Sequence, residues 1–174
     1  MGTIKNSIKW LKPIELSFEA SKRFDDSYIF LILGGKPHYV DNFRAAYPDR
    51  TNFMLMGHKS HFEIPLYLKC ADVAVLPNSS KSEISRVSTS PMKLFEYMAS
   101  GVPIVASDLL SIREILSEKN SVIVKPDSPE DLARGILGIL KDTEKSKKIA
   151  LQARIDVKKY TWDKRVVEIS KFIE

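Results

Sequence analysis

Two patterns of apolar residues alternate along this chain. Short unbroken runs at Tyr28–Leu33, Asn52–Met56, Val73–Leu76, Ile104–Ala106 and Ser121–Val124 have the length of strands, and the first two of them stop at glycine. Runs of this kind read as strands buried on both faces of a parallel sheet. Between them the spacing becomes helical. Pro13 opens a helix with Leu16, Ala20 and Phe24 on one face, and further helices follow over Val40–Ala46, Glu63–Cys70, Pro91–Ser100 and Ser111–Leu116. Ser128-Pro129-Glu130-Asp131 is a strong helix start, with a serine cap, proline in the first turn and acids behind it, and opens a helix to about Lys141. Two more, near Glu144–Lys158 and Thr161–Ile173, close the chain.

Strands alternating with helices predict an α/β fold: a Rossmann-like, doubly wound parallel sheet with helices on both faces. Ligands of such folds bind in the crevice at the carboxyl ends of the strands. Gly34, Gly57, the long polar loop Pro77–Thr89 and Ser107 would then share one rim. A polar loop of that length is usually functional or mobile.

Composition narrows the class. The 174 residues, 44% hydrophobic and 28% charged, suit one folded domain, and no apolar run reaches the ~20 residues of a membrane-spanning helix. No signal-peptide core opens the chain, so a cytoplasmic location is expected. The single cysteine, Cys70, excludes an internal disulfide framework and reads as a small buried hydrophobe. The net charge of +5 suits phosphate-bearing ligands or an anionic membrane surface. Nucleic acid is disfavoured, because the basic residues are not clustered with aromatics. The lysines of the last helices suit a solvated outer face, or else peripheral contact with a membrane.

The most informative stretch runs from Ser88 to Asp108. Ser90 is a good helix cap, Pro91 suits the first helical position, and Gly101 suits the residue just past the end. The helix start offers free backbone N–H groups at Thr89, Ser90 and Met92 beside the positive end of a dipole, equipment for holding a phosphate. Glu96 lies about one and a half turns further on, roughly 8–9 Å along the axis, so an anion at the helix start and a ribose at the carboxylate would fit one nucleotide. Lys93 is either a surface lysine paired with Glu96 or a cation near that phosphate. His38, His58 and His61 do not repeat at metal-ligand spacing, so no metal site and no cofactor are expected.

The run Pro91–Asp108 with Ile112-Arg113-Glu114-Ile115-Leu116 resembles the signature of the C-terminal, donor-binding domain of retaining GT-B glycosyltransferases of the group 1 (family 4) type. Leu31-Ile32-Leu33-Gly34-Gly35, Ala71–Pro77 and Tyr160-Thr161-Trp162 extend the resemblance over nearly the whole chain. It implies transfer of a sugar from a nucleotide-diphosphate donor to an acceptor, such as a cell-surface glycan or lipid-linked glycan, held by an N-terminal domain outside this sequence. Glu96 matches the second glutamate of the family's Glu-x7-Glu motif, which grips the ribose. Ser88 stands where the first glutamate falls; it is not acidic, so the donor sugar is held otherwise, or Glu83 reaches in from the loop. The resemblance further implies that Thr89–Met92 face the diphosphate and that Lys9, with Lys5 in reserve, neutralises it. It also implies that Gly57-His58 lines the nucleobase pocket and that Gly34 permits close approach. Two other readings stay open: a nucleotide-sugar epimerase of the same fold, and a non-enzymatic nucleotide-binding module of flavodoxin-like topology.

Overall fold

The computed structural model describes residues 12–89 and 91–171. Among these residues five short strands alternate with helices in the order α1 (Lys12–Ser21), β1 (Phe30–Ile32), α2 (Pro37–Ala46), β2 (Phe53–Leu55), α3 (Ile64–Lys69) and β3 (Ala74–Leu76). A single π-helical turn, Ile84–Ser88, then leads into α4 (Met92–Ser100), β4 (Ile104–Ser107), α5 (Leu110–Arg113), β5 (Val122–Val124), α6 (Pro129–Lys141), α7 (Thr143–Asp156) and α8 (Trp162–Ser170). All strand pairs among the described residues are parallel, and helices flank the larger sheet on both sides, as the alternating pattern predicts.

The strands form two groups, a three-stranded sheet in the order β3-β4-β5 and a two-stranded sheet β1-β2. In the larger sheet, side chains alternate between two cores. Val75, Val105, Val122 and Val124 meet α1 and α6 through Ala20, Leu132, Ala133 and Ile136. Leu76, Ile104, Ala106 and Ile123 meet α4 and α5 through Leu94, Met98 and Ile112. This is the two-sided burial that a parallel strand requires. Gly135 makes the α6 contact close: a Cβ there would lie 2.6 Å from Val124 Cγ1 and 3.1 Å from Val105 Cγ1.

Among the described residues, the smaller sheet is covered on one face only. Phe30, Ile32, Phe53 and Leu55 pack with Phe18 of α1 and Phe43 of α2 in an aromatic cluster. On the other face Leu31 is 39% exposed and Met54 43%, which corrects the expectation that Tyr28–Leu33 and Asn52–Met56 are fully buried. Phe30 nevertheless shares a core with Val73 and Val75, so α1 and α6 bridge the two sheets. Buried Asn52 adds a polar tie, its amide donating to the carbonyls of Ser21 and Phe24 at 3.3 and 3.2 Å. Ser21 ends α1, and its carbonyl also accepts from Phe24 N at 3.1 Å.

Two further corrections concern local detail. Cys70 is exposed rather than buried, because six-residue α3 buries none of its side chains. Helix α4 begins one residue later than expected: Pro91 is extended, with ψ of 123°, and its carbonyl accepts from Leu94 N at 2.9 Å. The cap expected at Ser90 lies outside the described residues. Gly101 does end the helix, in the left-handed conformation with φ of 75°. Ser128 caps α6 as expected, its Oγ accepting from Asp131 N at 3.2 Å. No helix among the described residues is long and apolar enough to cross a membrane.

Candidate functional site

The residues singled out from the sequence fall in two places. The first is the α4 start. Ser88 ends the π-helical turn and is exposed; half-buried Thr89 follows, its Oγ1 donating to Ile84 O at 2.8 Å. A π turn inside a loop is rare and frequently marks a functional segment. Among the described residues no side chain caps α4, and its first amides, those of Met92 and Lys93, lie at the positive end of the helix. The side chains of Met92 and Lys93 are both exposed.

Glu96 sits one turn further along the same helix, between the buried residues Leu94 and Met98. It is half-buried, and among the described residues its carboxylate has no hydrogen-bond partner and no ion pair, Lys93 included. The sequence left open whether Lys93 pairs with Glu96; in the structure the two are separate. Glu96 influences its neighbour instead: burial first, and then the Glu96 charge, push the Tyr97 hydroxyl above its ordinary value. A half-buried carboxylate that has no partner among the described residues, one turn from the N-terminus of its helix, can hold hydroxyl groups next to an anion.

The second place is the end of the smaller sheet. Gly34 and Gly57 both have positive φ, 115° and 67°, conformations open to glycine at little cost. Gly34 N donates to Gly57 O at 2.7 Å, so the two strand-end glycines lie side by side. His58 follows and is exposed, while the ammonium of Lys59 lies 5.9 Å from the Tyr67 ring centre. Lys5 and Lys9 lie outside the described residues. No cluster of three or more metal-ligating side chains occurs among the described residues.

The loop that carries Ser88 and Thr89 is held more firmly than its polar sequence suggests. Ser111 Oγ of α5 donates to Ser85 O at 2.9 Å. At the loop's start, Asp127 accepts from Ser79 Oγ at 2.6 Å, from Ser80 N at 2.9 Å and from Ser80 Oγ at 2.6 Å. Sequence reasoning missed Asp127. The available signal was Pro126-Asp127 directly ahead of the Ser128 cap, a turn sequence that favours an aspartate. Asp108, just past β4, is engaged by Arg113 in a two-pronged contact, Nε to Oδ1 at 2.7 Å and Nη2 to Oδ2 at 3.1 Å. These bonds outweigh partial burial and hold the Asp108 carboxyl below its usual range.

Comparison with known proteins gives this arrangement its context. A curated relative, the uncharacterized glycosyltransferase MJ1178 of Methanocaldococcus jannaschii, is 24% identical over 166 residues, which cover 94% of this chain. This chain spans only 44% of that relative's length. The crystal structure of Anabaena Alr3699/HepE in complex with UDP superposes with a TM-score of 0.74 at 18% identity, covering 95% of this chain and 46% of that one. The C-terminal domain of the group 1 family glycosyl transferase LpcC from Francisella tularensis matches with a TM-score of 0.67 at 17% identity, covering 90% of this chain and 82% of that one. Likeness at these identities shows the fold, that of a GT-B C-terminal domain. The family model for "Glycosyl transferases group 1" matches residues 4–156, most of the chain, and on that match the protein belongs to the group 1 glycosyl transferases.

Proposed function

We propose that this chain is the donor-binding domain of a retaining glycosyltransferase that takes a sugar from a nucleoside-diphosphate donor. The observation that carries the reading is the placement, on one helix, of the amides at the α4 N-terminus and, one turn on, the half-buried carboxylate of Glu96, which has no partner among the described residues. Family membership adds to it, as does the UDP bound by a neighbour of the same fold.

In this reading the amides of Met92 and Lys93 and the Lys93 ammonium face the diphosphate. Glu96 accepts hydrogen bonds from the ribose hydroxyls, Ser88 and Thr89 lie toward the sugar, and Gly34, Gly57 and His58 border the base. Lys9 and Lys5, close ahead of α1 in sequence, complete the cationic surround. As the sugar bond breaks, charge grows on the departing diphosphate. Preorganised amides and ammonium groups stabilise that charge without a metal ion. The acceptor, a cell-surface glycan or a lipid-linked one, is held by a partner domain outside this sequence, and the reaction takes place in the cytoplasm or at the inner face of the membrane.

A thermal-shift series with UDP, GDP, ADP and CMP, each with and without EDTA, tests this directly. One nucleoside diphosphate should raise Tm by mass action, equally in the presence of the chelator. A flat response to all four nucleotides removes the donor-site assignment, and a response abolished by EDTA removes the metal-free mechanism.

A further inference from the structure

Asp127 is the one residue other than glycine with positive φ (57°) among the described residues. Aspartate tolerates that conformation better than most side chains, yet such strain persists only where surrounding contacts hold it. Here the contacts are specific. Its turn is fixed on both sides: Lys125 N donates to Asp131 Oδ2 at 2.6 Å, and Asp131 N to Ser128 Oγ at 3.2 Å. From that turn the carboxylate crosses to a segment 47 and 48 residues earlier in the chain, where both of its oxygens accept from Ser79 and Ser80. Partial burial alone would raise the Asp127 carboxyl. The bonds from the Ser79 and Ser80 hydroxyls and the Ser80 amide, with the nearby Lys81 charge, outweigh it and hold the group ionised.

The tied segment follows β3 directly and runs through the π turn into α4. We propose that Asp127 is a positioning residue: by clamping Ser79 and Ser80 to the turn after β5, it sets the loop that delivers Ser88, Thr89 and the α4 N-terminus to the nucleotide sugar. This rests on the donor-site reading above. In this role Asp127 acts through the loop and not on the donor itself.

A role confined to shaping the turn predicts a different result from a clamp. At a φ of 57°, glycine is freely allowed and asparagine well tolerated, so Asp127→Gly and Asp127→Asn preserve the turn while removing the ionised double acceptor. Ser79→Ala with Ser80→Ala removes both hydroxyl donors from the opposite side and leaves the turn untouched. Hydrogen exchange of residues 79–89 without nucleotide, combined with calorimetric titration of UDP, GDP and ADP, separates the cases. For each of the three variants, the clamp predicts loop exchange faster by about tenfold and nucleotide Kd raised by about tenfold, the scale of one charge-assisted bond. The amides of β4 should exchange as in the wild type.

Unchanged loop exchange in Asp127→Gly overturns the clamp. Faster loop exchange with unchanged Kd overturns its link to the site. If the wild type binds none of the three nucleotides, the donor-site reading and the positioning role fail together, while the exchange data still decide whether the clamp exists.

Discussion

β1 and β4 are both short apolar runs, and each pairs in parallel, yet they end in different environments. All four residues of β4 are buried, between α6 on one face and α4 with α5 on the other. Among the described residues β1 is paired on one side only and covered on one face only, with Leu31 39% exposed and Ile29 66% exposed just ahead of it. Apolar sequence therefore states what a strand can bury, while the number of layers around it decides what it does bury. The larger sheet should carry most of the stability and the smaller sheet should open first, since local stability follows contact and burial.

The largest expected contrast is between cavity formation in the two sheets. Ile104→Ala, at a fully buried site, should cost roughly 2–5 kcal/mol by urea denaturation, and Leu31→Ala under about 1 kcal/mol. Similar costs at the two sites would mean that the smaller sheet is covered as fully as the larger. A sharper test lies within α6. Gly135→Ala forces a Cβ against Val124 and Val105 and should destabilise by roughly 1–3 kcal/mol. Gly138→Ala, three residues on with nothing within 4 Å of its new Cβ, should stabilise by up to about 1 kcal/mol. Equal effects at the two glycines would refute the close approach of α6 to β4 and β5.

The smallest effect is acid sensitivity. Asp156 is partly buried, which raises its carboxyl, but bonds from Asn120 and Gln152 and the Lys159 charge bring it below the usual range, and Asp127 is lowered likewise. A carboxyl lowered in the folded state adds stability that is fully present above its unfolded value, near 4, and is lost as pH falls through the folded value. Denaturation midpoints of the wild type should therefore decline below about pH 4. In Asp156→Asn that decline should be shallower; an identical decline would exclude Asp156 as a contributor.

Much of this organisation was legible in the chain because its causes are local. Ser128 caps α6 and Gly101 ends α4 through contacts within a turn, so a reader of the sequence sees them. Pro91 displaced the α4 start by one residue because it stays extended instead of entering the first turn. The illegible features are long-range. The exposure of Leu31 and Met54 on β1 and β2, the exposure of Cys70 and the tie between Asp127 and Ser79-Ser80 depend on which elements meet. The π turn sits in a polar loop that lacks the apolar periodicity by which helices are read. At the candidate site, the free state of the Glu96 carboxylate could not be read from residue types, because Lys93 stands at a spacing that permits an ion pair the structure does not form.

The central claim is that Glu96 grips the ribose of a nucleoside diphosphate, and isothermal titration of wild type and Glu96→Ala with UDP, GDP, ADP and CMP at fixed salt tests it most directly. The account predicts that one diphosphate binds the wild type and that its affinity falls by about tenfold or more in Glu96→Ala, the loss of hydrogen bonds to a charged acceptor. Tight binding unchanged by the substitution would contradict it and move the site away from α4.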